Sequence, residues 1–239
     1  MRLGVLRSYI NHTIDETTTE VSSLFERTLT RLSDTGADLI DIGDEAAAAL
    51  HPTRLARAQV ELHEFESSIN EYLTDPRHHN CPKSLREIIS SGLVDQFALG
   101  PGWELVSREK LSVISPEYED RTHRIENLKQ SYAKIFASHS LDALIYPHQT
   151  IFVVPIGTPT QSGRNGLLTS LTGAPGIVIP MGFGPFDKFK DNRNVNLAPL
   201  GVPLGLEIVG TWGTDRKILE IAGITEKTLS ARRKPILIA

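Results

Sequence analysis

Three short apolar runs, Leu141 to Tyr146, Gly176 to Pro180 and Leu204 to Val209, each bounded by Gly or Pro, constrain this chain most. Runs of this length are too short for buried helices and read as strands covered on both faces. Arg2 to Leu6 is a fourth such run, and Asp38 to Ile42 alternates like a fifth strand. Between those two, Ile14 to Leu32 sets Val21, Leu24, Phe25, Thr28, Leu29 and Leu32 on one helical face before Gly36. Strand, helix and strand in so short a span imply a βαβ crossover, and the fold class is therefore α/β.

The middle of the chain reads differently. From Pro52 to Leu73 the spacing of Leu55, Val60, Leu62, Phe65, Ile69 and Leu73 predicts a helix, stopped by Thr74-Asp75-Pro76. A short helix is expected to open at Pro82 and end before Gly92, and a long one runs from Pro116 to Ala137 with Tyr118, Ile125, Leu128, Tyr132 and Ile135 inward. Gly182 to Gly201 is polar enough to be a loop, Thr214 to Leu229 is helical, and Pro235 to Ile238 forms a short apolar tail. With no internal repeat or low-complexity linker, residues 1–239 are expected to form one domain.

Composition excludes several classes of function. Lys and Arg number 25 against 29 Asp and Glu, and the basic residues are scattered, so no field is available to hold a phosphate backbone and nucleic acid is not expected as a partner. No apolar run is long enough to span a bilayer, and the opening residues do not form a signal peptide, so a cytoplasmic protein without membrane attachment is expected. The lone Cys81 allows neither an internal disulfide nor a thiolate metal cluster.

The candidate catalytic motifs each have a structural explanation. No Gly-x-Ser-x-Gly elbow exists; Ser90-Ser91-Gly92 reads as a helix end and Ser162-Gly163 as a turn. Cys81 beside His78 and His79 lies in a loop, where adjacent residues rarely present a thiolate to an imidazole. His63-Glu64 lacks a second His four residues on, so no metal is expected, and nothing calls for a cofactor. Trp103 and Trp212 read as packing aromatics.

Four stretches in this order carry a resemblance. They are Glu64 to Leu73 with Pro82-Lys83-Ser84-Leu85; Asp142-Ala143-Leu144-Ile145-Tyr146-Pro147; Ser170 to Phe183, containing Thr172-Gly173-Ala174-Pro175; and Gly201-Val202-Pro203-Leu204-Gly205-Leu206-Glu207-Ile208-Val209-Gly210. Together they resemble the C-terminal half of the amidase signature family, whose members hydrolyse amides and related carbonyl compounds. That resemblance implies a partial amidase-type mixed β-sheet flanked by helices. Family enzymes use a Lys, a bridging Ser and a nucleophilic Ser from their N-terminal half, with a Gly/Ser-rich oxyanion hole, and none of these is matched in this sequence.

The resemblance also implies a site. The segment after the strand Leu141 to Tyr146 lines the family's pocket, with His148 where a small hydroxyl residue usually sits, and an imidazole there can act as a general acid or base. Thr150, Thr169, Ser170 and Thr172 are expected near a small-molecule pocket wall, with Gly173 giving the backbone room to turn. A half-sheet would leave open strand edges, so either a homo-oligomer or a complementary N-terminal amidase half is expected to cover them. Three functional readings follow: a part of an amide hydrolase that does not hydrolyse alone; a truncated scaffold turned to cyclisation or isomerisation with His148 as proton carrier; and a non-catalytic binding subunit.

Overall fold

The computed structural model describes residues 1–10, 16–94, 111–154, 161, 163–184 and 201–234. These divide between two compact units, the first made of Met1–Ala56, Asn127–Ile156 and Gln161–Ala239, the second of Arg57–Glu126 and Gly157–Thr160.

In the first unit, β1 (Arg2–Val5), α1 (Glu16–Asp34) and β2 (Asp38–Asp41) form the βαβ crossover implied by the sequence, and β1 and β2 pair in parallel. After α2 (Asp44–Ala49) and α3 (Pro52–Ala56) the chain leaves this unit. It re-enters within a long helix, Pro116–His139, and continues through β3 (Ala143–Pro147), a short helix at Leu167–Thr172, β4 (Gly176–Phe183), β5 (Pro203–Val209) and a last helix at Asp215–Leu229. The sheet order is β2-β1-β3-β5-β4. β1 joins β2 and β3 in parallel, while β5 runs antiparallel to both β3 and β4, so the sheet is mixed as expected.

The pleat divides the core. Leu3, Val5, Ile145, Leu206 and Ile208 face α1 and the last helix, meeting Phe25, Leu29, Ile218 and Ile221. Leu144, Tyr146 and Val209 face the other way, onto Leu128, Tyr132, Phe136 and Leu168. A fully buried Phe25 or Leu144 contributes about 1.5–3 kcal/mol each relative to exposure. These two packed faces are what hold β3 and β5 in register.

The second unit contains α4 (Glu61–Thr74), α5 (Leu85–Ser90) and the start of the long helix, which is α6. The helix predicted over Pro52 to Leu73 is in fact broken between Ala56 and Glu61, at the boundary of the units. There the Gln59 carbonyl accepts from the Arg121 guanidinium at 2.8 Å, taking a partner other than a helical N–H. The next helix begins at Leu85, later than Pro82, because Ser84 Oγ caps it by accepting from the Glu87 N–H at 3.2 Å. The short helix Leu167–Thr172 is α7 and the last helix α8. Most of the predicted loop, residues 185–200, lies outside the described residues, as do the tail from 235 on, Trp103 and Ser162.

Candidate functional site

β3 and β5 build the site by their register. Tyr146 lies opposite Glu207 and Pro147 opposite Leu206, and the His148 N–H extends the ladder by donating to the Gly205 carbonyl at 2.9 Å. Strand alternation puts Tyr146, His148, Glu207 and Gly205 on one face. His148 thus sits diagonally from Glu207, with Gly205, which has no side chain, directly across. A Cβ at Gly205 would lie 2.5 Å from Val178 Cγ1, so the close approach of Val178 is what calls for glycine here, while His148 Cβ at 3.4 Å would be in ordinary contact.

His148 Nδ1 lies 2.7 Å from Glu207 Oε2. When Glu207 is ionised its oxygens only accept hydrogen bonds, and the ring then donates from Nδ1. Glu207 is 3 % exposed, whereas the His148 side chain keeps 33 % of its surface open. The other carboxylate oxygen, Oε1, is 3.4 Å from Thr169 Oγ1, a weak contact from α7. Three buried phenols surround the pair. Burial, and then the Glu207 charge, push the Tyr9, Tyr132 and Tyr146 hydroxyls above their ordinary range, so they remain neutral. The Tyr9 hydroxyl donates to the Leu50 carbonyl at 2.7 Å and the Tyr132 hydroxyl to the Gly210 carbonyl at 2.6 Å. The Tyr146 hydroxyl feels the Glu207 charge but falls short of ordinary hydrogen-bond geometry.

Beyond His148 the chain is pinned by a short antiparallel pairing with residues 163–165. The Asn165 N–H donates to the His148 carbonyl at 2.8 Å and the Thr150 N–H to the Gly163 carbonyl at 2.7 Å. Buried Asn165 adds two side-chain bonds, from Nδ2 to the Pro147 carbonyl at 2.7 Å and to the Tyr9 carbonyl at 3.0 Å.

Of the residues singled out in the sequence, the structure brings His148 and Thr169 together through Glu207. Thr150 Oγ1 is turned to the Gly163 carbonyl and Ser170 Oγ to its own helix. The Thr172 hydroxyl donates to the Leu168 carbonyl at 2.6 Å and accepts from the Ala174 N–H, while Gly173 ends α7 with a φ of 69°. The sequence pattern does not single out Glu207 or Asn165 as site residues. An acidic residue inside an otherwise apolar strand was the available signal for Glu207, since such a charge stays buried only when paired; Asn165 offered none.

Elsewhere, Gly92 follows α5 with a φ of 70°, as a helix end requires. His78 Nδ1 lies 2.6 Å from the Tyr72 carbonyl, and the sulfur of Cys81 is 3.9 Å from Lys83 Nζ. Trp212 packs edge-on to Tyr132 and donates from Nε1 to the Thr172 carbonyl at 2.9 Å. Among the described residues no group of three or more His, Cys, Asp or Glu could hold a metal ion, and no helix is long and apolar enough to cross a membrane.

The model of one protein family, described as Amidase, matches residues 1–219. The chain belongs to the Amidase family. An indoleacetamide hydrolase of Allorhizobium ampelinum is 25% identical over 248 aligned residues, which take in 95% of this chain and 47% of that protein. A mandelamide hydrolase of Pseudomonas putida is 28% identical, covering 90% of this chain and 42% of its own length. The chain thus spans about half the length of the curated relatives it matches. Among solved structures, the peptide amidase of Stenotrophomonas maltophilia superimposes with a TM-score of 0.66 at 22% identity, over 98% of this chain and 44% of that one, and so shares its fold. Both the resemblance read from the four sequence stretches and the mixed sheet expected from it are borne out.

Proposed function

We propose that this Amidase-family chain supplies one wall of the substrate site of a small-molecule amide hydrolase, whose nucleophile comes from residues outside these 239. The observation that carries this reading is the coverage: nearly the whole chain aligns with less than half of each hydrolase it matches. The Lys, bridging Ser and nucleophilic Ser that the family resemblance implies have no counterpart in this sequence. Removal of such a unit costs about 10⁴-fold or more in rate, so the chain alone does not turn over amides at an enzymatic rate. The names of the relatives suggest arylacetamide-like carboxamides as the substrate class.

The test is to isolate the protein from its source cells, measure native and denatured mass, and assay ammonia release from indoleacetamide and mandelamide with fluorophosphonate labelling. The expected active species is either a heavier polypeptide or a complex with a second chain, labelled outside these residues. Full amide hydrolysis by the 239-residue chain alone, with a labelled Ser within it, would refute the proposal.

A further inference from the structure

We infer that His148 and Glu207 form a proton-transfer pair in which Glu207 positions the imidazole and His148 Nε2 activates a water molecule against a small carbonyl compound. The inference stands on this chain's own residues and is independent of the missing nucleophile.

A buried carboxylate is costly unless paired, and among the described residues the only ion-pair partner of Glu207 is His148, at 2.7 Å. Here Nδ1 is committed to the carboxylate, whereas Nε2 has no hydrogen-bond partner among the described residues and is not among the enclosed polar atoms. A third of the His148 side-chain surface is exposed. A neutral imidazole held by an Nδ1–H to carboxylate bond carries its lone pair on Nε2, which makes Nε2 the base.

The surroundings suit this role. Among the described residues, the titratable groups facing the pair are Tyr146 from β3, Tyr9 from the segment after β1 and Tyr132 from α6, all kept as neutral phenols. No Lys or Arg competes for Glu207 among the described residues. Val178, directly opposite Glu207 on the edge strand β4, is 45% exposed and, like His148, borders the space above Gly205. The nucleophile in this inference is water, which is small enough to reach the exposed side of the imidazole.

An activated ester serves as the carbonyl compound. The water oxygen bonds to the acyl carbon as the C=O π pair moves onto the carbonyl oxygen and one water proton passes to Nε2, giving an imidazolium whose charge the Glu207 carboxylate offsets. The π bond then re-forms as the bond from the acyl carbon to the leaving oxygen breaks, that oxygen keeps the electron pair, and the proton on Nε2 passes to it. Ester and water yield acid and alcohol, and the imidazole returns to its starting state.

The test uses the full chain with p-nitrophenyl acetate as probe and ¹⁵N NMR of the histidines. The expected results are a His148 ring protonated on Nδ1 with a free Nε2, loss of that preference in Glu207→Gln, and release of p-nitrophenolate that falls about 10²-fold in His148→Gln. Fluorophosphonate pretreatment is expected to leave the release unchanged, which separates this activity from serine-dependent amide hydrolysis. A His148 proton on Nε2 in the parent protein, or release within twofold of the parent in His148→Gln, would overturn the inference. If Glu207→Gln does not fold, as judged by circular dichroism, the parent tautomer and His148→Gln still decide it.

Discussion

Asn165→Ala tests whether the loop carrying His148 is held by the bonds described. The change removes donors from the Pro147 and Tyr9 carbonyls, which Nδ2 meets at 2.7 and 3.0 Å, in a position only 4% exposed. Each buried carbonyl left without its partner costs about 1–3 kcal/mol, so the expected loss for the two is roughly 2–6 kcal/mol. Urea unfolding would report this as a midpoint lower by about one molar or more at an unchanged slope. Asn165→Asp sharpens the test because it is isosteric but, when ionised, cannot donate. It places a carboxylate oxygen against two carbonyl oxygens and is expected to be less stable than Asn165→Ala at neutral pH. In acid, protonation restores one donor and part of the difference should disappear. A loss below about 0.5 kcal/mol for Asn165→Ala, or an Asn165→Asp protein as stable as the parent at neutral pH, would refute the reasoning.

Two further outcomes follow from the same unit. Gly201 has a φ of 78°, and a Cβ there would lie 2.1 Å from the Gly184 carbonyl oxygen, so Gly201→Ala must both adopt a left-handed backbone and push the β4–β5 end apart. A loss of about 1–2 kcal/mol from the backbone alone is expected, checked by thermal unfolding; a melting temperature equal to the parent's would contradict it. Burial opposes ionisation of Asp142, but the Lys217 ammonium at 2.6 Å and the Arg2 N–H at 2.7 Å outweigh it and hold the carboxyl below its usual range. A depressed carboxyl contributes stability in full above its unfolded pKa, near 4 in model peptides, and loses it as pH falls through the lower folded value. Asp142→Asn should therefore flatten the acid limb of stability against pH; an unchanged limb would show that the pair contributes nothing.

Much of the fold was legible because it rests on local pattern. The spacing of Val21, Phe25, Leu29 and Leu32 sets the buried face of α1 whatever packs on it, and the Gly- and Pro-bounded runs locate β3, β4 and β5 to within a few residues. Periodicity across Pro52 to Leu73 misled, since hydrophobic spacing continues through the break at residues 57–60, and the Arg121 bond that helps hold it comes from a helix far along the chain.

By itself, then, the sequence determined the α/β class, the crossover from β1 to β2, the family and His148 as a titratable side chain at a strand end. Tertiary structure alone decided what His148 is joined to. Glu207 lies 59 residues away, and only the antiparallel register of β5 against β3, set by two packed sheet faces, places it diagonally from the imidazole. Asn165 is likewise 156 residues from one of the carbonyls it holds. Such pairings are invisible to a linear pattern because one residue of slip would turn Glu207 to the opposite face.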